Sequence, residues 1–115
     1  MTTNELTGAA LDWAVAKCEP DDKSSIYFDE STGEPLCHDD WPDNQMFQPS
    51  TDWAQGGLII EREKITVEYT GDPDTWCACI MADQEFYGST PLIAAMRCYV
   101  ASKLGDEVEV PEGLK

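Results

Sequence analysis

The sequence predicts an α+β domain made of a helix, a three-stranded antiparallel meander sheet and a last helix, with an acidic insertion after the first helix. Two segments carry apolar residues at helical spacing, and two others alternate at the period of a strand around a Gly-Asp-Pro-Asp turn. The chain has 115 residues, of which 42% are hydrophobic, which suffices for one modest core. We therefore expect a single domain over residues 1–115.

The first predicted helix covers residues 7–19. Thr7 is the expected N-cap, and Leu6 and Leu11 occupy the positions of a hydrophobic staple around it. Pro20 ends the helix. We interpret Cys18 as a small core residue and not as a reactive thiol. The apolar face of this helix comprises Leu11, Ala14, Val15 and Cys18.

Residues 20–48 form the acidic insertion, which is only weakly patterned. Two short strands, at 26–28 and 36–38, flank a predicted turn. The aromatic side chains of the insertion allow two interpretations: they cover the edge of the core, or they are exposed anchors among carboxylates, as in binding hot spots. These aromatic residues are Tyr27, Phe28, Trp41 and Phe47.

Residues 49–57 predict one capped helical turn. Ser50 or Thr51 is the expected cap, because both side chains can accept a hydrogen bond from the first amides of a helix. Gly56 and Gly57 are expected to break the turn, since glycine readily allows a reversal of the backbone.

Three strands of the sheet are predicted at 64–70, 75–81 and 85–88. In the first strand the half-buried face comprises Ile65, Val67 and Tyr69. In the second strand Cys77 and Cys79 share one face, where we expect them to pack against a helix.

The last predicted helix covers residues 90–105, and both of its ends are encoded. Thr90 can cap the first amides, Pro91 occupies the first helical position, and Gly105 is expected to stop the helix as a left-handed residue. The tail at 106–115 is expected to be extended and available as an edge strand. The apolar stripe of the helix comprises Ile93, Met96, Val100 and Leu104, widened by Leu92, Ala95 and Tyr99.

The charge of the chain excludes several classes of partner. It has 23 acidic and 7 basic residues, a formal net charge of −16. Because such a surface repels phosphate backbones and anionic membranes, we expect no direct contact with nucleic acid or a membrane. The charge either keeps a small protein soluble or competes with nucleic acid for a basic protein. The sequence has no transmembrane-length apolar run and no signal peptide, which predicts a cytoplasmic protein.

No arrangement of side chains predicts catalysis, a metal site or a cofactor. Cys37, His38, Asp39 and Asp40 form one cluster of ligand types, but its spacing fits neither structural zinc nor a Cys-His nucleophile. The five cysteines lack disulfide and zinc spacing, which suits a reducing compartment. We therefore expect a protein that is not an enzyme.

Four ordered segments, at residues 6–17, 49–57, 59–63 and 90–105, closely resemble the NinX-like family of small proteins from lambdoid phages and prophages. The middle and last segments are also similar to the phage α-β-α sandwich domain, whose helix-strand-strand-strand-helix order is that of double-stranded-RNA-binding domains. The resemblance implies a phage accessory protein that adjusts or blocks host functions, and it implies no catalytic residue.

Two functions fit these observations. The first is a non-enzymatic phage protein that binds and inhibits a host protein with a basic surface, active in defence or nucleic-acid processing. Its expected contact residues are Trp41, Trp53, Asp39, Asp40, Asp43 and Asp52. The alternative is a binder, monomeric or homo-oligomeric, that sequesters a host signalling nucleotide. Its expected ligand-binding residues are Gln55, Gly56, Gly57, Arg62 and Arg97.

Overall fold

The computed structural model describes residues 2–20, 22–29, 33, 36, 46–80, 84–111 and 114. A short 3-10 helix at Thr3–Glu5 precedes the larger elements. In chain order these are α1 (Gly8–Cys18), α2 (Ser24–Tyr27), α3 (Trp53–Glu63), β1 (Thr66–Tyr69), β2 (Trp76–Cys79), β3 (Glu85–Gly88) and α4 (Pro91–Leu104). The predicted α+β class and the order helix, three antiparallel strands, helix are confirmed, and α3 is a further helix.

The sheet is an antiparallel meander with β2 in the centre. Ala78 of β2 pairs with Val67 of β1 and Phe86 of β3; Ala78 and Phe86 belong to the hydrophobic core beneath α4, and the half-buried Val67 packs against it. Because side chains alternate along a strand, Cys77 and Cys79 lie on the opposite face. The prediction that these cysteines pack against a helix is wrong. The face that packs on α4 carries Ala78, whose small side chain allows the helix to approach the sheet closely.

The fold is built around α4, which packs on all three strands and also on α1 and α3. Residues on several sides of this helix are therefore buried, and the predicted stripe accounts for only part of them. Leu104, the last member of that stripe, is 39% exposed. The first predicted helix, α1, has its main contacts with α4 and α2 and not with the sheet. The buried residues of α4 are Leu92, Ala94, Ala95, Met96, Cys98, Tyr99 and Val100.

Both predicted ends of α4 are present. Thr90 Oγ1 accepts a hydrogen bond from the Ile93 amide at 3.2 Å, and Pro91 opens the helix. Gly105 has the expected positive φ, 85°, but combines it with a ψ of −163° instead of the left-handed helical value. This conformation is open essentially to glycine alone, so the stop signal is specific.

The N-terminal helix α1 follows its prediction closely. Thr7 has the extended backbone of an N-cap, although its side chain makes no capping hydrogen bond to the described residues. Leu6 and Leu11 are fully buried, as a hydrophobic staple requires. Burial raises the pKa of the Cys18 thiol to about 12, so this group stays protonated and unreactive at neutral pH.

The helix α3 corrects the prediction for residues 49–63. Instead of one turn broken by glycines, an 11-residue helix runs through Gly56 and Gly57, and its N-cap is Asp52 instead of Ser50 or Thr51. Each glycine costs a helix about 1 kcal/mol relative to alanine. At Gly56 that cost is offset because the missing Cβ lets the helix lie directly against the Pro49 carbonyl and Leu92. The helix-strand-strand-strand-helix unit therefore begins at α3.

The acidic insertion also differs from its prediction. Residues 24–27 form α2 where residues 26–28 were predicted as a strand, because Asp22 accepts hydrogen bonds from the amide and hydroxyl of Ser24 at the helix start. One hydrogen bond of the predicted pairing is present, from the Leu36 amide to the Tyr27 carbonyl at 2.9 Å.

Three of the four aromatic residues of the insertion lie against the core. Phe28 and Phe47 are buried, and Phe47 stacks on Tyr27 with ring centroids 4.6 Å apart. They follow the first interpretation of these residues. Trp41 lies outside the described residues.

The C-terminal tail closes one end of the molecule. The Thr3 amide donates to the Asp106 carbonyl at 2.8 Å, and Val108 and Val110 are buried. The predicted edge strand is reduced to one isolated bridge between Thr2 and Glu107. The tail is therefore part of the core even though it forms no regular strand in its described residues.

Candidate interaction site on α3

An apolar groove of about 590 Å³ lies between α2, the segment 46–48 and α3. The stacked rings of Tyr27 and Phe47 form one wall, and Leu58 and Ile59 belong to the helix side. The residues that line this α3 groove are Glu19, Lys23, Tyr27, Phe47, Asp52, Ala54, Gln55, Leu58, Ile59 and Arg62.

The start of α3 is held by two predicted site residues. Asp52 Oδ1 accepts a hydrogen bond from the Ala54 amide at 2.9 Å, which caps the helix. Gln55 Oε1 accepts from the Gln48 amide at 2.9 Å, and Gln55 Nε2 donates to the Met46 carbonyl and to Asp52 Oδ2, each at 3.1 Å. The amide of Gln55 therefore connects the segment 46–48 to the helix, and its polar atoms are already engaged.

Helical spacing places Ala54, Leu58 and Arg62 on the same side of α3, facing the groove. Leu58 is 67% exposed, which is high for a leucine in the middle of a helix. One turn of the same helix thus presents an apolar side chain to solvent at the edge of an apolar groove.

Arg62 borders the groove, but its guanidinium is bound within the protein. Its two terminal nitrogens donate to the two carboxylate oxygens of Glu19, each at 3.1 Å, and Nε donates to Glu63 at 2.9 Å. A further hydrogen bond reaches the Tyr99 hydroxyl at 3.0 Å. The hydrogen bond to Glu19 is the main reason that the pKa of Arg62 is raised above its ordinary value. The arrangement joins α1, α3 and α4 and neutralises this cation.

Trp53 lies outside the α3 groove, although it belongs to the same helix. It is 57% exposed and lines a smaller pocket of about 180 Å³ at the start of α4. Asp52 and Trp53, two of the predicted contact residues, are therefore adjacent in sequence but border different depressions.

A family model described as Bacteriophage P22, NinX matches residues 2–103 of the chain. The chain belongs to this family. No match was found among curated proteins. The NinX resemblance predicted from four segments is thereby confirmed, and the match also spans the insertion between them.

The remaining predicted site residues of this NinX-family chain are distributed over the molecule. Arg97 donates from Nε to the Leu6 carbonyl at 2.9 Å and from a terminal nitrogen to the Tyr87 carbonyl at 2.6 Å, so it joins α4 to the N-terminal segment and to β3. Burial lowers its pKa. Gly56 is packed inside, whereas Gly57 is adjacent to Trp53. The predicted contact residues Asp39, Asp40, Trp41 and Asp43 lie outside the described residues.

The groove combines apolar side chains with the charged groups of Glu19, Lys23, Asp52 and Arg62. Its described lining contains no cysteine, serine or histidine. Within the described parts of the chain, no group of three or more histidine, cysteine or carboxylate side chains is arranged to hold a metal. Likewise, no described helix has the length and hydropathy of a membrane span.

Sequence reasoning identified Asp52, Gln55 and Arg62 but missed the apolar residues of the groove. The predicted turn at 49–57, broken by Gly56 and Gly57, leaves Leu58 and Ile59 outside any predicted helix. The available signal was the spacing of Ala54, Leu58 and Arg62, which continues at four residues through those glycines.

Proposed function

We propose that this NinX-family protein is a phage accessory protein that acts without catalysis. It binds a host protein of defence or nucleic-acid processing in the host cytoplasm and inhibits it. The observation that carries the proposal is the exposed apolar surface of α3, where Trp53 and Leu58 are 57% and 67% exposed. Tryptophan is enriched among the hot spots of protein interfaces, and exposed apolar surface often marks an interaction site.

The net charge supports a basic partner. At −16, the field of the protein attracts a cationic surface and raises the rate of association with it. The acidic residues and the apolar anchors then have separate roles. The charge steers the encounter, and Leu58 and Trp53 supply most of the binding free energy by burial.

The nucleotide-sequestering alternative has less support. An anionic ligand needs free donors, yet Arg62 is engaged by Glu19 and Glu63, and Arg97 is engaged by two backbone carbonyls. The amide of Gln55 is likewise used within the protein. We therefore retain protein binding as the proposed function.

The test is affinity capture from a bacterial lysate at low and high salt, with mass spectrometry of retained proteins and small molecules. We expect a stoichiometric basic protein that is lost as the salt concentration rises, because screening weakens the attraction. A nucleotide retained without any protein would contradict the proposal.

With the partner in hand, titrations of single variants locate the interface. Leu58→Ala and Trp53→Ala should each weaken binding by about tenfold or more, whereas neutralising the exposed carboxylate in Glu61→Gln should change it by about twofold. Leu104→Ala is the matched control, because Leu104 is also exposed but lies at the end of α4. Equal losses for Leu58→Ala and Leu104→Ala would argue against α3 as the interface.

A further inference from the structure

The face of the sheet opposite α4 is open. Residues Thr66, Glu68, Glu85 and Tyr87 on this outer sheet face are exposed, and the main helix contacts of the three strands are with α4. Cys77 lies in the centre between Glu68 and Tyr87 and is buried at 5% exposure. The face therefore has a low floor of small side chains and higher acidic and aromatic walls.

A groove of about 420 Å³ follows this face, and its charged lining residues are all acidic. They are Glu68, Asp72 and Glu85, and none of them forms an ion pair with the described residues. Elsewhere in the protein carboxylates do pair, since Glu63 contacts both Arg62 and Lys103. The outer sheet face thus concentrates carboxylates that have no ion-pair partner in the part of the chain that the structure describes.

An aromatic side chain completes the groove. Tyr87 is 44% exposed and donates its hydroxyl hydrogen bond to Glu85 Oε2 at 2.7 Å, which holds the ring beside that carboxylate. Burial, followed by the nearby Glu85, raises the pKa of the Cys77 thiol. A carboxylate next to an aromatic ring is a favourable environment for a guanidinium, which can pair with the one and stack on the other.

We propose that the outer sheet face docks an arginine-rich segment of a partner protein, with guanidinium groups paired to Glu68 and Glu85 and stacked on Tyr87. Charge complementarity selects this occupant, because three carboxylates without an ion pair among the described residues and an exposed ring favour a cation and repel nucleic acid. The proposal does not depend on the α3 groove, which lies on a different part of the molecule.

The test is a titration of the isotope-labelled protein with a short oligo-arginine peptide, followed by NMR. The largest amide shifts are expected in β1, β2 and β3. The double variant Glu68→Gln/Glu85→Gln should weaken binding by about tenfold, and Tyr87→Leu by about threefold.

The matched control is Glu61→Gln/Glu109→Gln, which removes the same charge at exposed positions that do not line this groove. It should change the affinity by less than about twofold. Leu58→Ala should leave peptide binding unchanged, so failure of the α3 interface and failure of this proposal are distinguishable. Equal losses for both double variants, or shifts spread evenly over the acidic surface, would overturn the proposal.

Discussion

Asp12 is a buried carboxylate at the contact between α1 and the segment that leads into α3. It is 6% exposed, and its Oδ1 accepts a hydrogen bond from the Ser50 amide at 2.9 Å. Burial raises its pKa from 3.8 to about 6, and the Ser50 hydrogen bond only partly opposes this shift. Because the folded state binds the proton more tightly than the unfolded chain, ionisation of Asp12 costs stability as the pH rises from about 4 to about 6.

Replacing Asp12 with Asn should therefore stabilise the protein at neutral pH. The oxygen of the new side-chain amide can still accept the hydrogen bond from the Ser50 backbone amide, and no charge is buried. We expect a gain of up to about 3 kcal/mol at pH 7 that vanishes near pH 4, measured by urea unfolding across this range. Asp12→Ala is the control, since it removes the acceptor. A variant that is less stable than the native protein at pH 7 would contradict this account.

At the scale of elements, α3 depends on two neighbouring glycines with different surroundings. A Cβ at Gly56 would collide with the Pro49 carbonyl and would lie 2.6 Å from Leu92 Cδ2, whereas a Cβ at Gly57 would meet only Trp53 at 3.8 Å. Gly56→Ala should destabilise the fold by about 2 kcal/mol through overpacking. Gly57→Ala should stabilise it by about 0.5–1 kcal/mol through helix propensity. Urea unfolding of the pair tests this difference, and stabilisation by both substitutions would refute the close packing of α3.

At the scale of the whole molecule, the net charge of −16 opposes the compact state through self-repulsion. Added salt should therefore raise the thermal midpoint by about 5 °C. Most of this rise should occur below about 0.2 M salt, because at that concentration the Debye length is already below about 8 Å and the repulsion is largely screened. The same salt should weaken the binding of a basic partner. Thermal unfolding over a NaCl series measures the first effect. A midpoint that rises linearly to high salt would instead indicate a general salting-out effect.

Local sequence signals were sufficient to predict α1, α4 and the three strands. The cap, the proline and the glycine that set the ends of α4 lie within or beside the helix. The strands are marked by alternating apolar residues around one turn. Both signals can be recognised without knowledge of long-range contacts. The family was also recoverable from four short segments. The aromatic residues of the insertion allowed two interpretations, as a cover for the core edge or as exposed anchors. The burial of Phe28 and Phe47 supports the first.

The course of α3 and the roles of the two arginines depend on contacts between elements that are distant in sequence. The helix continues through Gly56 because Pro49 and Leu92 pack against it, and that contact outweighs the low helix propensity of glycine. Arg62 pairs with Glu19, 43 residues away, and Arg97 with the Leu6 carbonyl, 91 residues away. Such partners are set by how the elements pack, and no local pattern in the sequence encodes them.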